Sequence, residues 1–134
     1  MKAHSLLGCL AIGIASLVSG CGATDGAGAS AAAERLYAAV NAGDGAAACA
    51  SLSEDTRVQL VRDERKPCPE AILSLDLSGA RSVAASAYVT EAKVELDGGD
   101  SVFLEETDDG WKVSAAGCRP TPGSETPYDC EVES

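Results

Sequence analysis

The chain predicts an α+β domain, helices first and an antiparallel sheet after them. Apolar residues recur at helical spacing from about 31 to 79, then alternate with period two from 83 to 115. Four cysteines, Cys49, Cys68, Cys118 and Cys130, are spread over both halves. With one Phe, one Trp and abundant Ala the core is thin, and small domains with thin cores commonly depend on covalent staples.

Residues 31–42 read as a first helix, with Ala33, Leu36, Tyr37 and Val40 on one face and Asn41-Ala42-Gly43 as its stop. Asp44 is placed to cap a second helix carrying Ala48, Cys49 and Leu52. Ser53 caps a third helix through 64, with Val58 and Val61 expected inward and the charged run 62–66 in solvent. Pro67-Cys68-Pro69 breaks the chain and restarts a helix that uses Ile72, Leu73 and Leu77 and stops at Gly79. Val83, Ala85, Ala87 and Val89 then alternate at odd positions, and Ala92, Val94 and Leu96 at even ones. The slip at Thr90-Glu91 requires a tight turn or a bulge. Asp97-Gly98-Gly99-Asp100 is a hairpin signal. The next strand, 101–107, puts Val102 and Leu104 on one face and Phe103 on the other. Asp108-Asp109-Gly110 turns into a strand in which Trp111, Val113 and Ala115 alternate. A Pro-containing loop between Cys118 and Cys130 follows. The sequence-local pairing joins Cys49 to Cys68 and Cys118 to Cys130, one of three connectivities open to four cysteines.

Ahead of this domain lies a short secretory pattern: Lys2, an uncharged apolar run over 6–18, then Val18-Ser19-Gly20-Cys21. The run of thirteen residues is too short to span a hydrocarbon core that needs roughly 20. The four residues ending in Cys21 resemble the bacterial lipobox, whose cysteine thiol takes a diacylglyceryl group and becomes the mature N-terminus. The resemblance implies palmitate-type acyl chains on Cys21 and attachment to the extracytoplasmic face of the cell membrane. A rival at Leu6-Leu7-Gly8-Cys9 would leave no apolar run upstream. Four cysteines remain after Cys21 and can pair among themselves, so lipidation also accounts for the odd thiol. The expected organisation is a signal peptide over 1–20, a flexible Gly/Ala/Ser/Thr tether over 21–30 and a domain over 31–134.

The formal charge is −11, and loss of Lys2 with the signal gives 9 − 21 = −12. Such a surface repels phosphate backbones, which argues against nucleic acid as a partner. The sole histidine, His4, leaves with the signal, so the mature chain has no Ser-His-Asp triad, Cys-His pair or histidine metal site. Asp97 with Asp100, and Glu105-Glu106 with Asp108-Asp109, could draw Ca²⁺ to the turns. None sits in a loop that gathers six or more oxygens, and turn chemistry accounts for them. No metal and no cofactor is expected, and with no Cys-x-x-Cys there is no redox site.

Tyr37, the Asn41-Ala42-Gly43-Asp44 corner and a meander ending in Gly110-Trp111-Lys112-Val113 are similar to the nuclear-transport-factor-like superfamily. Pro67-Cys68, Ala115-Ala116-Gly117-Cys118-Arg119-Pro120 and Pro127-Tyr128-Asp129-Cys130 resemble small lipoproteins of high-G+C Gram-positive bacteria. The likeness spans roughly residues 31–132. It implies a cone of helices around a curved sheet with a cavity at its open end. Some members of that superfamily are isomerases or dehydratases and many only bind. Tyr37 and Asp76 are the one pair suited to acid–base work in such a cavity, and Trp111 is a possible ligand platform. Core packing for Tyr37 and Trp111, and solvent for Asp76, explain the same residues. The expectation is a membrane-anchored, non-catalytic binding or accessory module for a small apolar ligand or an envelope protein. A small isomerase or dehydratase is the alternative.

Overall fold

The computed structural model describes residues 26–134. Cys21 and the segment before it lie outside the described residues. Four helices, α1 (Gly26–Asn41), α2 (Gly45–Ser51), α3 (Glu54–Glu64) and α4 (Cys68–Leu73), precede six strands. These are β1 (Ser82–Tyr88), β2 (Glu91–Leu96), β3 (Ser101–Thr107), β4 (Gly110–Pro120), β5 (Tyr128–Asp129) and β6 (Val132–Glu133). All paired strands are antiparallel, in the order β1-β2-β3-β4-β5 with β6 also on β4. The expected α+β class and both disulfides, Cys49–Cys68 and Cys118–Cys130, are present.

α1 begins at Gly26, so 26–30 is helix and not tether. Ala29, Ala32, Ala33, Leu36 and Tyr37 form one buried stripe at helical spacing. Small side chains at the start of that stripe let the helix lie close against β1, and this contact offsets the poor helix propensity of Gly26 and Gly28. Asp44 caps α2 by accepting from Ala47 N–H at 3.0 Å, as expected. Ser53 caps α3, accepting from Thr56 N–H. The face of α3 is the correction: Thr56 and Leu60 are buried, while Val58 and Val61 are exposed. Ser53 N–H donates to Val113 O at 2.8 Å and Thr56 Oγ1 to Ser114 O at 2.9 Å. Those two bonds to β4 set the helix's rotation, and position 60 follows 56 inward one turn later.

Helices cover one face of the sheet. Ala92, Val94, Leu96, Val102, Leu104, Trp111 and Val113 point into that core, matching the even–odd alternation read from the sequence. The slip at Thr90-Glu91 is a tight turn at Val89-Thr90. β4 carries two irregularities against β3, so Ala115 pairs with Phe103 and leaves the face of Trp111 and Val113. β1 is an edge strand, largely exposed, and its odd positions are not the buried face expected of them. No helix among the described residues is long and apolar enough to cross a membrane.

Candidate functional site

Two polar and aromatic constellations stand out, one inside the domain and one on the open face of its sheet. The inner one is built on Asp100, whose side chain is fully buried. Its Oδ2 accepts from Tyr37 Oη–H at 3.0 Å and from Ser78 N–H at 2.7 Å. The Tyr37 oxygen in turn accepts from Gly117 N–H at 3.1 Å. Asp100 Oδ1 makes no hydrogen bond and faces Arg119 Nη2 at 3.3 Å. Arg119 lies at the solvent end, 46% exposed, beside Asp76 Oδ2 at 3.8 Å and Glu131 Oε1 at 3.9 Å.

Local geometry explains why these groups meet. The β4 irregularity between the Ser101 and Phe103 pairings lifts Gly117 out of the ladder and aims its N–H at Tyr37. Gly117 has φ +66°, and a Cβ there would lie 2.6 Å from Glu131 Cγ and 2.8 Å from Leu77 Cδ2. Only glycine fits both the left-handed backbone and that space. The irregular segment 74–81 is held by the hairpin's two acids: Asp100 takes Ser78 N–H, and Asp97 Oδ1 takes Ala80 and Arg81 N–H at 2.8 and 3.2 Å. Those two N–H donors hold the Asp97 carboxyl below its ordinary range. Burial pushes the Tyr37 phenol well above its usual range; the Gly117 N–H opposes this and the Asp100 charge adds to it. Asp97 and Asp100 thus serve backbone and core, and among the described residues no His/Cys/Asp/Glu group could hold a metal ion.

The expected pocket of Tyr37, Asp76 and Trp111 does not form. Tyr37 and Trp111 are buried in the core, and the Asp76 side chain is 83% exposed. Among the surface clefts of the described residues, four of about 210–360 Å³ have none of the three in their walls. The physical reason is that the phenol hydroxyl is taken by Asp100 and Gly117 inside the core, while the Asp76 side chain faces solvent. Asp76 and Tyr37 are linked only through Arg119 and Asp100. Asp100 and Arg119 were missed as site residues. The sequence carries a signal for Asp100: positions 100, 102 and 104 share one strand parity, and the spacing puts Val102 and Leu104 on one face. We expect Tyr37→Phe to lower stability by about 1–3 kcal/mol, by leaving Gly117 N–H and Asp100 Oδ2 short of a partner. Urea unfolding measures this.

The outer constellation centres on Phe103, which lines three of those four clefts. Its ring meets Tyr128 edge-on at 5.0 Å between centroids. Lys93 Nζ lies 5.3 Å from the Tyr128 centroid and 2.8 Å from Glu95 Oε1. The Glu95 hydrogen bond, then Tyr128, raise the Lys93 pKa. Around Phe103 the cleft walls include Glu91, Glu105 and Glu133. Thus three of the chain's five aromatic side chains, Tyr88, Phe103 and Tyr128, border the uncovered face rather than the core. No protein-family model, curated protein or solved structure matches this chain.

Proposed function

We propose that the protein is a lipid-anchored, extracytoplasmic, non-catalytic binding module whose outer sheet face takes a basic polypeptide segment of another envelope protein. The observation that carries this reading is Phe103, half-buried at the junction of three clefts and ringed by Glu91, Glu105 and Glu133. An aromatic anchor rimmed by three glutamates and one lysine, Lys93, which is itself paired with Glu95, suits a partner of positive charge with an apolar residue at its centre. A catalytic reading has less support, since the Tyr37 hydroxyl is buried and engaged on both sides. The two disulfides favour an oxidising compartment, which agrees with the lipobox-like Val18-Ser19-Gly20-Cys21. The nuclear-transport-factor-like reading of the fold belongs with this proposal, supported by helices that precede a meander and pack on one of its faces.

The test titrates the detergent-purified protein with a fluorescent amphipathic peptide of Arg and Phe, and with the same peptide in which Glu replaces Arg. Saturable binding of the basic peptide alone, weakened about tenfold by Phe103→Ala, is the expected result, since tenfold is about 1.4 kcal/mol. Equal binding of both peptides, or no effect of Phe103→Ala in a variant whose Trp111 emission is unchanged, would overturn it. The anchor is tested separately: Cys21→Ala is expected to abolish the acyl mass and release the protein from the membrane fraction.

A further inference from the structure

We propose that the β1–β2 turn, through Tyr88 and Val89, seats on the outer leaflet of the membrane and fixes the tilt of the domain. The inference rests on the lipidation of Cys21 and adds to it a second, non-covalent membrane contact. It begins with the direction of α1. A methyl group built on Gly26 would lie 3.9 Å from Ala85 Cβ. Ser30 Oγ meets Ser82 Oγ at 3.1 Å, Glu34 Oε1 accepts from Ser82 N–H at 2.8 Å, and Asn41 Nδ2 donates to Gly79 O at 3.2 Å. Along α1 the contacts therefore retreat from Ala85 to Gly79, and the helix runs antiparallel to β1. The N-terminal end of α1 therefore points toward the end of the sheet where β1 turns into β2.

Cys21 is five residues before Gly26, so the anchor lies within at most about 18 Å of that helix start. Val89 is four residues beyond Ala85, on the order of 13 Å along the strand. By these two spans the acyl chains can lie up to about 31 Å from the turn, close enough for both to meet one bilayer surface. At that turn the side chains are Tyr88, 81% exposed, and Val89, 66% exposed. An exposed tyrosine beside an aliphatic residue is the pairing that partitions to the membrane–water interface. Val89 also has φ +54°, a left-handed conformation costly for a β-branched residue and one that Gly or Asn would adopt more easily. The β3–β4 turn, with Asp108 and Asp109, lies at the same end of the sheet. Its charge is repelled by anionic headgroups, so the domain leans on the β1 corner, where the exposed Glu91 opposite Tyr88 limits the contact to headgroup depth.

The experiment places the acylated full-length mature protein, carrying Tyr88→Trp, on vesicles of brominated phosphatidylcholine with a minority of phosphatidylglycerol. The buried Trp111 provides a constant background, and Val58→Trp on α3 serves as the control position. The expected result is a blue shift and bromine quenching at position 88 and neither at 58. Flotation with the vesicles without quenching at 88, or equal quenching at both positions, overturns the turn contact while leaving the anchor intact. Failure to float overturns the anchor and the contact with it. Val89→Gly relieves the left-handed strain, so it is expected to keep the fold while reducing the quenching at position 88.

Discussion

Asp100→Ala is expected to lower the free energy of unfolding by about 2–4 kcal/mol, because it strips the acceptor from two donors at once. One is the fully buried Tyr37 hydroxyl and the other is Ser78 N–H, which pins the irregular segment 74–81 to the hairpin. Arg119 loses one of its three carboxylate neighbours, but it is half-exposed and keeps Asp76 and Glu131, so the arginine adds little to the total. Urea denaturation measures the effect, and a double-mutant cycle with Tyr37→Phe locates it. If the pair acts as a unit, the double variant will be less destabilised than the sum of the singles by roughly 0.5–3 kcal/mol. Full additivity, or a loss below about 0.5 kcal/mol for Asp100→Ala, would mean that the buried acid is not the joint between hairpin, α1 and loop.

Loss of both disulfides is expected to have a larger effect still. Cys49–Cys68 closes 19 residues and Cys118–Cys130 closes 12, each worth roughly 3 kcal/mol by the chain-entropy argument. Together they approach the whole stability of a domain this size, about 5–15 kcal/mol. The core cannot absorb such a loss, since alanine fills much of it: Ala29, Ala32, Ala33, Ala48 and Ala71 are all buried. A thermal melt with and without a thiol reductant reads the effect directly. Replacement of Cys49 and Cys68 is expected to free α2 from α4, and replacement of Cys118 and Cys130 to free the C-terminal strands from β4. Retention of the oxidised melting temperature after complete reduction would show that packing alone suffices.

Local signals were legible wherever a single element decided its own form. Asp44 and Ser53 cap helices because a side-chain oxygen three residues ahead of a free N–H needs no distant partner. The alternation over 92–104 predicted the buried face because strand period is fixed by backbone geometry. The rotation of α3 was not legible: Val58 and Val61 are the more apolar pair, but hydrogen bonds from Ser53 and Thr56 to a strand almost sixty residues away outweigh them. Tyr37 is legible in the sequence as suited either to core packing or to a pair with Asp76; the structure buries it against Asp100. Its partner is set by where the Gly98-Gly99 hairpin folds back and by the irregularity at Gly117, both of which depend on register between strands.

By itself, then, the order of residues determined the α+β class, the two caps, the alternating strands and the likeness of Val18-Ser19-Gly20-Cys21 to a lipidation signal, since each of these is written in neighbours. Tertiary structure alone decided that Asp100 is buried, that Phe103 lines three adjoining clefts, and that α1 starts beside β1. Those outcomes depend on which distant segments share a surface. A contact across sixty or eighty residues leaves no period or spacing in the sequence from which to read it.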